Sequence, residues 1–300
     1  MVERMKITIG TRGSKLALVQ TDMVAAALRA IDASLQIEVK VIVTRGDVNQ
    51  APIPLDTIGK SWFSAEIEEG LVKGDIDLAV HSLKDVAPES PSGLDLIPVL
   101  QREDPSDVLV SKTDAKLAEL KGDAIVGTDS SRRQAQILEL RPDVVVKSIR
   151  GNVDTRLRKL REEEYDAIVI AAAGLLRLGL GDEITELFDP TKFVPAPGQA
   201  ALAAQYRSDD TKLSKLLNKL VHEPSRVAVD SERTFSRAVG GGCKLPVGCF
   251  ARIDEKSASR RIEIFGMAAD DAGVVHRNSV RGAGGDAGTL ARELARRLGF

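Results

Sequence analysis

Arg12, Ser14, Lys84, Asp85, Thr128, Ser130, Arg132, Arg133 and Arg150 each follow a short apolar run within a few residues, and Arg177 lies slightly further beyond one. Arg156 comes one and a half helical turns after Arg150. Guanidinium forks bind carboxylates or phosphates through paired hydrogen bonds. Hydroxyls and free backbone N–H groups at a helix start add to such a site. The placement predicts a ligand carrying several negative groups. Bulk charge does not make this case, since 42 Lys and Arg face 44 acids for a formal net charge of −2. Any single arginine is as readily a helix cap or half of an exposed ion pair, which stabilises little. Five or six of them at strand ends by accident is the weaker reading. Arg158, Lys159 and Arg161 in "RLRKLREEE" read as a solvated face.

Lys84 and Asp85 stand in "HSLKD", directly after the apolar run "DIDLAV". They read as turn formers or, in the favoured reading, as groups projecting towards a cleft. A carboxylate among cations stabilises a cationic intermediate or exchanges protons with a nitrogen substrate. The two cysteines share the stretch "VGGGCKLPVGC" at 239–249. Their spacing is not a redox CxxC, and the histidines at 81, 222 and 276 supply no zinc-ligand pattern. Glycines let a backbone bend and approach closely, so Cys243 is either a small residue filling a gap or a covalent tether presented by its loop. The two readings stand equal on the residues alone. Cys249, in the alternating "VGCFARI", reads as packed.

The elements that must position these groups repeat one plan: apolar strand, tight polar loop, amphipathic helix. "KITIG", "DAIVG", "DVVVKSI" and "YDAIVIA" each open such a unit. Strands alternating with helices predict parallel α/β sheets, and ligands collect beyond the carboxyl ends of their strands. Gly10-Thr11-Arg12-Gly13-Ser14 and Gly127-Thr128-Asp129-Ser130-Ser131 form a weak repeat that fits two domains of like design. "QREDPSD" at 101–107 and "FVPAPGQAALAAQ" at 193–205 are the expected crossovers. The domains expected are a first lobe of 1–101 and 199–220, a second of 102–198, and a small α+β domain with an antiparallel sheet at 221–300. Two crossovers predict a cleft with a hinge.

With 300 residues, 43% hydrophobic and 29% charged, the chain is of ordinary globular balance. Its 3% aromatic content and near-neutral charge argue against a nucleic-acid binder. The opening "MVERMKITIG" lacks a secretory core, and "AIVIAAAGLL" is about half the length a bilayer requires. A cytoplasmic, monomeric chain without metal or membrane partner is expected. One alternative function is a two-lobed protein that closes on a polyanion without chemistry. A thiol enzyme using Cys243 as nucleophile lacks a base near that loop.

"GTRGSKLALVQ", "DIDLAVHSLKDV", "GTDSSRRQ", "RGNVDTRLRKL", "YDAIVIAAAGLLRL", "PAPGQAAL" and "GGCKLPVG" occur in this order from about Lys6 to Gly248. Together they strongly resemble the porphobilinogen deaminases, also called hydroxymethylbilane synthases. The resemblance implies three domains, the first two built like a two-lobed periplasmic binding protein. It implies a transferase that joins four porphobilinogen molecules head to tail with loss of ammonia, then releases the linear tetrapyrrole hydroxymethylbilane by hydrolysis. The primer is a dipyrromethane cofactor bound covalently through the cysteine that matches Cys243.

By motif match, Lys84, Thr128, Ser130, Arg132 and Arg133 would hold the primer's carboxylates. Arg12, Ser14, Gln20, Arg150, Arg156, Arg177 and Gln199 would serve the incoming ring and the lengthening chain. Asp85 matches the catalytic carboxylate, expected to contact pyrrole N–H groups and stabilise the azafulvene formed as ammonia leaves. Phe63 matches an aromatic that covers the site, beside a mobile loop expected at 48–60. The family usually has two serines and a leucine at Asp129-Ser130-Ser131, proline at Ala87, glycine at Ala200 and glutamate at Gln205. None of these departures removes a group the mechanism needs, and Asp129 adds an acid beside anion-binding residues.

Overall fold

A computed structural model describes residues 5–45, 64–162, 164–240, 246–254 and 261–300. Phe63, the loop at 48–60 and Cys243 lie outside the described residues. The chain forms two compact units: Met1–Arg102 with Ala201–Arg226, and Glu103–Ala200 with Val227–Phe300.

The first unit is built on a five-stranded sheet of β1 (Lys6–Thr11), β2 (Gln36–Val41), β3 (Leu78–Ser82), β4 (Leu94–Val99) and β10 (Leu202–Arg207), in the order β2-β1-β3-β10-β4. The second unit holds a five-stranded sheet of β5 (Asp107–Ser111), β6 (Ile125–Gly127), β7 (Val145–Lys147), β8 (Ala167–Ala171) and β9 (Glu186–Leu187), in the order β7-β6-β8-β5-β9. Both sheets are α/β, yet neither is purely parallel as the strand–helix alternation predicts. In the first, β10 runs antiparallel to β3 and β4. In the second, β5 runs antiparallel to β8 and β9. These antiparallel strands lie at or near the two unit boundaries. β5 follows the first boundary almost at once, and β10 starts inside the stretch expected to hold no regular element. A strand arriving from another unit has no crossover helix to fix its direction, so local pattern says nothing of its sense.

The parallel part follows the sequence plan. Each central strand is an unbroken apolar run because both of its faces are covered. In the first unit Ile7, Ile9, Leu78 and Leu202 pack with Val24 and Leu28 of α1 (Lys15–Ile31). In the second, Leu109, Val126 and Val169 meet Ile137 of α3 (Ser131–Leu140) on one face. Val108, Ile168 and Ile170 meet Leu157 and Leu160 of α4 (Val153–Glu162) on the other. The remaining helices are α2 (Ala65–Lys73), α5 (Ala172–Arg177), α6 (Thr211–Asn218), α7 (Glu223–Ala238) and α8 (Ala287–Arg297). The weak Gly-Thr repeat has a packing cause in both sheets. A Cβ on Gly10 would stand 2.3 Å from Ile76 Cδ1, and one on Gly127 would stand 2.9 Å from Tyr165 Cδ1. In each sheet a neighbouring side chain crosses over the backbone at or within one residue of the strand's end.

The expected hairpin is present: β12 (Arg261–Ala269) and β13 (Val275–Ala283) pair antiparallel, with β11 (Val247–Ile253) on the other side of β12. Ala291, Leu294 and Ala295 of α8 and Phe235 of α7 bury the sheet's inner face around Ile262, Ile264 and Cys249. Cys249 is fully buried, as its alternating context predicts. Arg277 on β13 grips Glu139 of α3 through both carboxylate oxygens and donates from Nε to Lys192 O.

Ala200 adopts φ +70°, the left-handed region in which an L side chain costs about 1–2 kcal/mol. This is the position where the resembling family usually has glycine. Ala200→Gly is therefore expected to stabilise the protein by about 0.5–1 kcal/mol after the added freedom of the unfolded chain is counted. A denaturation midpoint equal to or below the parent's would refute that balance.

Candidate active site

In the first unit the loop after β1 and the turn after β3 lie side by side, because β1 and β3 are parallel neighbours with Ile9 opposite Leu78. Ser14 caps α1, its Oγ accepting from Ala17 N at 3.2 Å. Leu83–Asp85 form a single 3₁₀ turn, which leaves the side chains of Lys84 and Asp85 exposed while Leu83 is buried. Gln20 is buried on α1, where its amide nitrogen donates to Ser82 Oγ at 2.9 Å. Its amide oxygen lies 3.1 Å from the same hydroxyl. Gln20 thus holds the strand end that carries the Lys84–Asp85 turn.

His81 sits beneath this edge. Its Nε2 lies 3.1 Å from the amide oxygen of Gln205, and Gln205 Nε2 donates to Glu68 Oε1 at 3.3 Å. The amide at 205, where the resembling family usually has glutamate, faces a ring nitrogen and a carboxylate and suits both. Burial is the main influence on His81, and Arg12 adds to it, so the imidazole pKa is pushed down to about 4 against the hydrogen bond that Gln205 Oε1 accepts.

In the second unit the equivalent edge carries a denser set of cations. Ser130 caps α3, accepting from Arg133 N at 3.4 Å, and the adjacent Thr128 is buried. Arg132 and Arg133 turn into the protein and converge on Asp107, which is fully buried at the start of β5. Arg133 donates from Nε and Nη2 to Asp107 Oδ1 at 3.1 and 2.6 Å, and from Nη1 to Val169 O. Arg132 Nη1 lies 2.8 Å from Asp107 Oδ2 and donates to Val194 O at 2.7 Å. Gln199 is fully buried, its amide donating to Asp107 Oδ1 at 2.9 Å and to Pro105 O at 2.7 Å. Burial raises the Asp107 carboxyl pKa. The charges of Arg132 and Arg133, with hydrogen bonds from Arg133 and Gln199, outweigh this and hold it far below the usual carboxylate range.

Asp107 is the residue that the sequence reading passes over. It stands in "REDPSD", read only as a crossover, yet an acid opening the apolar run "DVLV" must be buried with a partner. Three further arginines occupy the same unit. Arg150 Nη2 pairs with Asp129 at 2.8 Å, and Arg156 Nε donates to Gly151 O at 2.8 Å. Arg177 donates from Nη2 to Ala200 O at 2.6 Å, while its Nε is buried without a hydrogen-bond partner. Burial lowers the Arg177 pKa, opposed by Glu103.

The segment 194–200 is fixed from several sides. Gln136 accepts from Val194 N at 2.7 Å and donates to Val194 O at 3.1 Å. Glu232, buried on α7, accepts from Gly198 N and from Ala251 N, each at 2.7 Å. Cys249 N donates to Pro195 O at 3.0 Å. The helix that precedes Cys243 in the chain is thereby joined to the segment carrying Gln199. Among the described residues there is no group of three or more His, Cys, Asp or Glu side chains that could hold a metal ion. No described helix is long and apolar enough to cross a membrane.

Comparison with known proteins agrees with these motifs. Residues 7–215 match the family "Porphobilinogen deaminase, dipyromethane cofactor binding domain", and residues 227–299 match "Porphobilinogen deaminase, C-terminal domain". The chain is 51% identical over 255 residues to a porphobilinogen deaminase of Shouchella clausii, covering 84% of this chain and 82% of that one. It is 44% identical over 290 residues to that of Thermus thermophilus, covering 97% and 94%. The relative from Roseiflexus castenholzii is 44% identical over 98% of this chain and 96% of its own.

Two outcomes follow from the buried groups. Asp107→Asn leaves two buried guanidinium groups without their counter-charge and is expected to cost about 3–5 kcal/mol in urea denaturation; a loss under about 1 kcal/mol would mean that the carboxylate's charge is not needed. Because the folded pKa of His81 is depressed, the unfolded chain takes up that proton first as pH falls. Stability from this group is therefore full above pH 6.5 and is lost as pH falls towards 4. Between about pH 7 and about pH 4.5 this amounts to about 2 kcal/mol. His81→Gln should flatten the profile by that amount, and an unchanged slope would contradict it.

Proposed function

The chain belongs to the porphobilinogen deaminase family, and we propose that the cationic strand ends of its two sheets bind the carboxylates of a growing tetrapyrrole primed on Cys243. It is a transferase that condenses four porphobilinogen molecules with release of ammonia and yields hydroxymethylbilane. The reading of a polyanion-binding protein without catalysis has no support. The observation that carries the proposal is the placement of Ser130, Arg132, Arg133 and Arg150 just beyond the carboxyl ends of β6 and β7, which are parallel neighbours, with a buried Arg177 Nε in the same unit that lacks an acceptor.

The dipyrromethane cofactor fits this donor set. Each of its pyrroles carries an acetate and a propionate, and guanidinium, ammonium and hydroxyl donors match carboxylates in charge and geometry. When bound, it supplies the pyrrole carbon that acts as nucleophile. Lys84, Thr128, Ser130 and Arg132 would hold its carboxylates, with Arg133 contributing charge and placement, since three of its five N–H groups are spent inside the protein. Arg12, Ser14, Arg150, Arg156 and Arg177 would receive the incoming ring and the lengthening chain, with Phe63 as a cover. Gln20 and Gln199 would act through the residues they fix, Ser82 and Asp107.

Asp85, exposed on its 3₁₀ turn, would face the reacting pyrrole N–H. Its charge would stabilise the positive charge that develops as ammonia leaves, and its oxygens would carry the proton transfers. The glycines of the Cys243 loop would let the backbone come close enough to present the thiol. We further propose three domains, at 1–101 with 199–220, at 102–198 and at 221–300, in a cytoplasmic monomer.

Intact mass of the purified protein should exceed the sequence mass by two pyrrole units located on Cys243; an unmodified thiol in active protein would refute the tether. Cys243→Ser should be largely inactive, and full turnover by it would remove the cysteine from the mechanism. Asp85→Asn should keep the added mass yet lose most of its turnover, by about 10²-fold or more. An undiminished rate would take Asp85 out of the reaction.

A further inference from the structure

We propose that Asp129 is a positioning residue: an internal carboxylate that occupies Arg150 within the protein and so sets the affinity with which that arginine receives porphobilinogen. The inference rests on the reading of Arg150 as a substrate contact. Asp129 follows β6 and Arg150 follows β7, and these strands are parallel neighbours with Gly127 opposite Lys147. Both residues therefore stand at one corner of the sheet's carboxyl edge. Asp129 Oδ2 lies 2.8 Å from Arg150 Nη2, and Oδ1 accepts from Ser148 Oγ at 2.6 Å. Thr128 N donates to Lys147 O at 2.9 Å, which fixes the two loops to each other and keeps the pair in register.

The pair is open to a ligand, with side chains 31% and 27% exposed for Asp129 and Arg150. An acetate or propionate on an incoming pyrrole has the same charge, the same two oxygens and the same preference for a guanidinium fork as Asp129. The two carboxylates compete for one arginine. A partly exposed ion pair of this kind stabilises by about 1 kcal/mol, so the competition tunes affinity without closing the site. A serine or leucine has no charge with which to do this. The alternative role, a clamp that only ties the β6 loop to Ser148, would be felt in stability and not in substrate affinity. Asparagine separates the two, since it keeps an acceptor for Ser148 Oγ and loses the charge.

The test is steady-state kinetics with porphobilinogen for the parent, D129N, R150Q and the double variant. D129N should lower KM by about two- to fivefold, moving KM more than kcat. R150Q should raise KM, and adding D129N to it should change nothing further. If R150Q raises KM while D129N leaves it unchanged or higher, the inference is overturned and Arg150 keeps its substrate role. An equal fall in KM with and without Arg150 overturns it as well. If R150Q has the parent's kinetics, Arg150 leaves the substrate site and the inference falls with it.

Discussion

A single buried carboxylate, Asp107, sets the arrangement of the second unit's cationic edge. It takes Arg133 and Gln199 as hydrogen-bond donors and Arg132 as an ion pair, all four side chains being buried. Two guanidinium groups side by side repel, and burial penalises each. One anion between them lowers that cost and also decides which way each fork points. Arg132 is then drawn to Val194 O and Arg133 to Val169 O. The start of α3, the strand β8 and the 194–200 segment thus share one electrostatic centre. Other arginines in this unit are less constrained: Arg150 and Arg156 are only partly buried, while Arg177 keeps an unused donor.

The two sheets solve the same problem with different polar equipment. Each places a glycine that a neighbouring side chain crosses at or next to the end of a strand, follows it with a buried threonine, and starts a helix on a serine cap. The first sheet then offers an exposed lysine and aspartate on a tight turn, braced by Gln20 and Ser82. The second offers arginines braced by Asp107. The first set lies on an exposed turn, while the two arginines of the second are buried and held at several points.

The segment 194–200 carries strain and tethering together. Ala200 is held at positive φ, its carbonyl accepts from Arg177, and Gly198 at φ +73° donates its N–H to the buried Glu232. An over-determined backbone of this kind persists because its surroundings fix it. Glu232 joins the segment to α7 and to β11 at once, so the helix that precedes Cys243 in the chain shares its anchor with Gln199.

From the residues alone came the α/β class, the strand-loop-helix units, the terminal hairpin and helix, and the set of arginines, hydroxyls and acid placed just beyond apolar runs. These are local facts, set by periodicity and by which residue types follow a strand. The seven ordered motifs supplied the family by resemblance, and with it the cofactor and the tether proposed at Cys243. What sequence could not supply was direction and pairing. β5 and β10 run antiparallel because each stands by a unit boundary, and no local pattern records the sense of such a strand. Asp107 found its two arginines across 25 and 26 residues of chain, and Asp129 found its one across 21. Whether a given arginine faces a ligand, an internal acid or a backbone carbonyl is decided by which groups the folded chain brings within 3 Å of it, and that distance exists only in three dimensions.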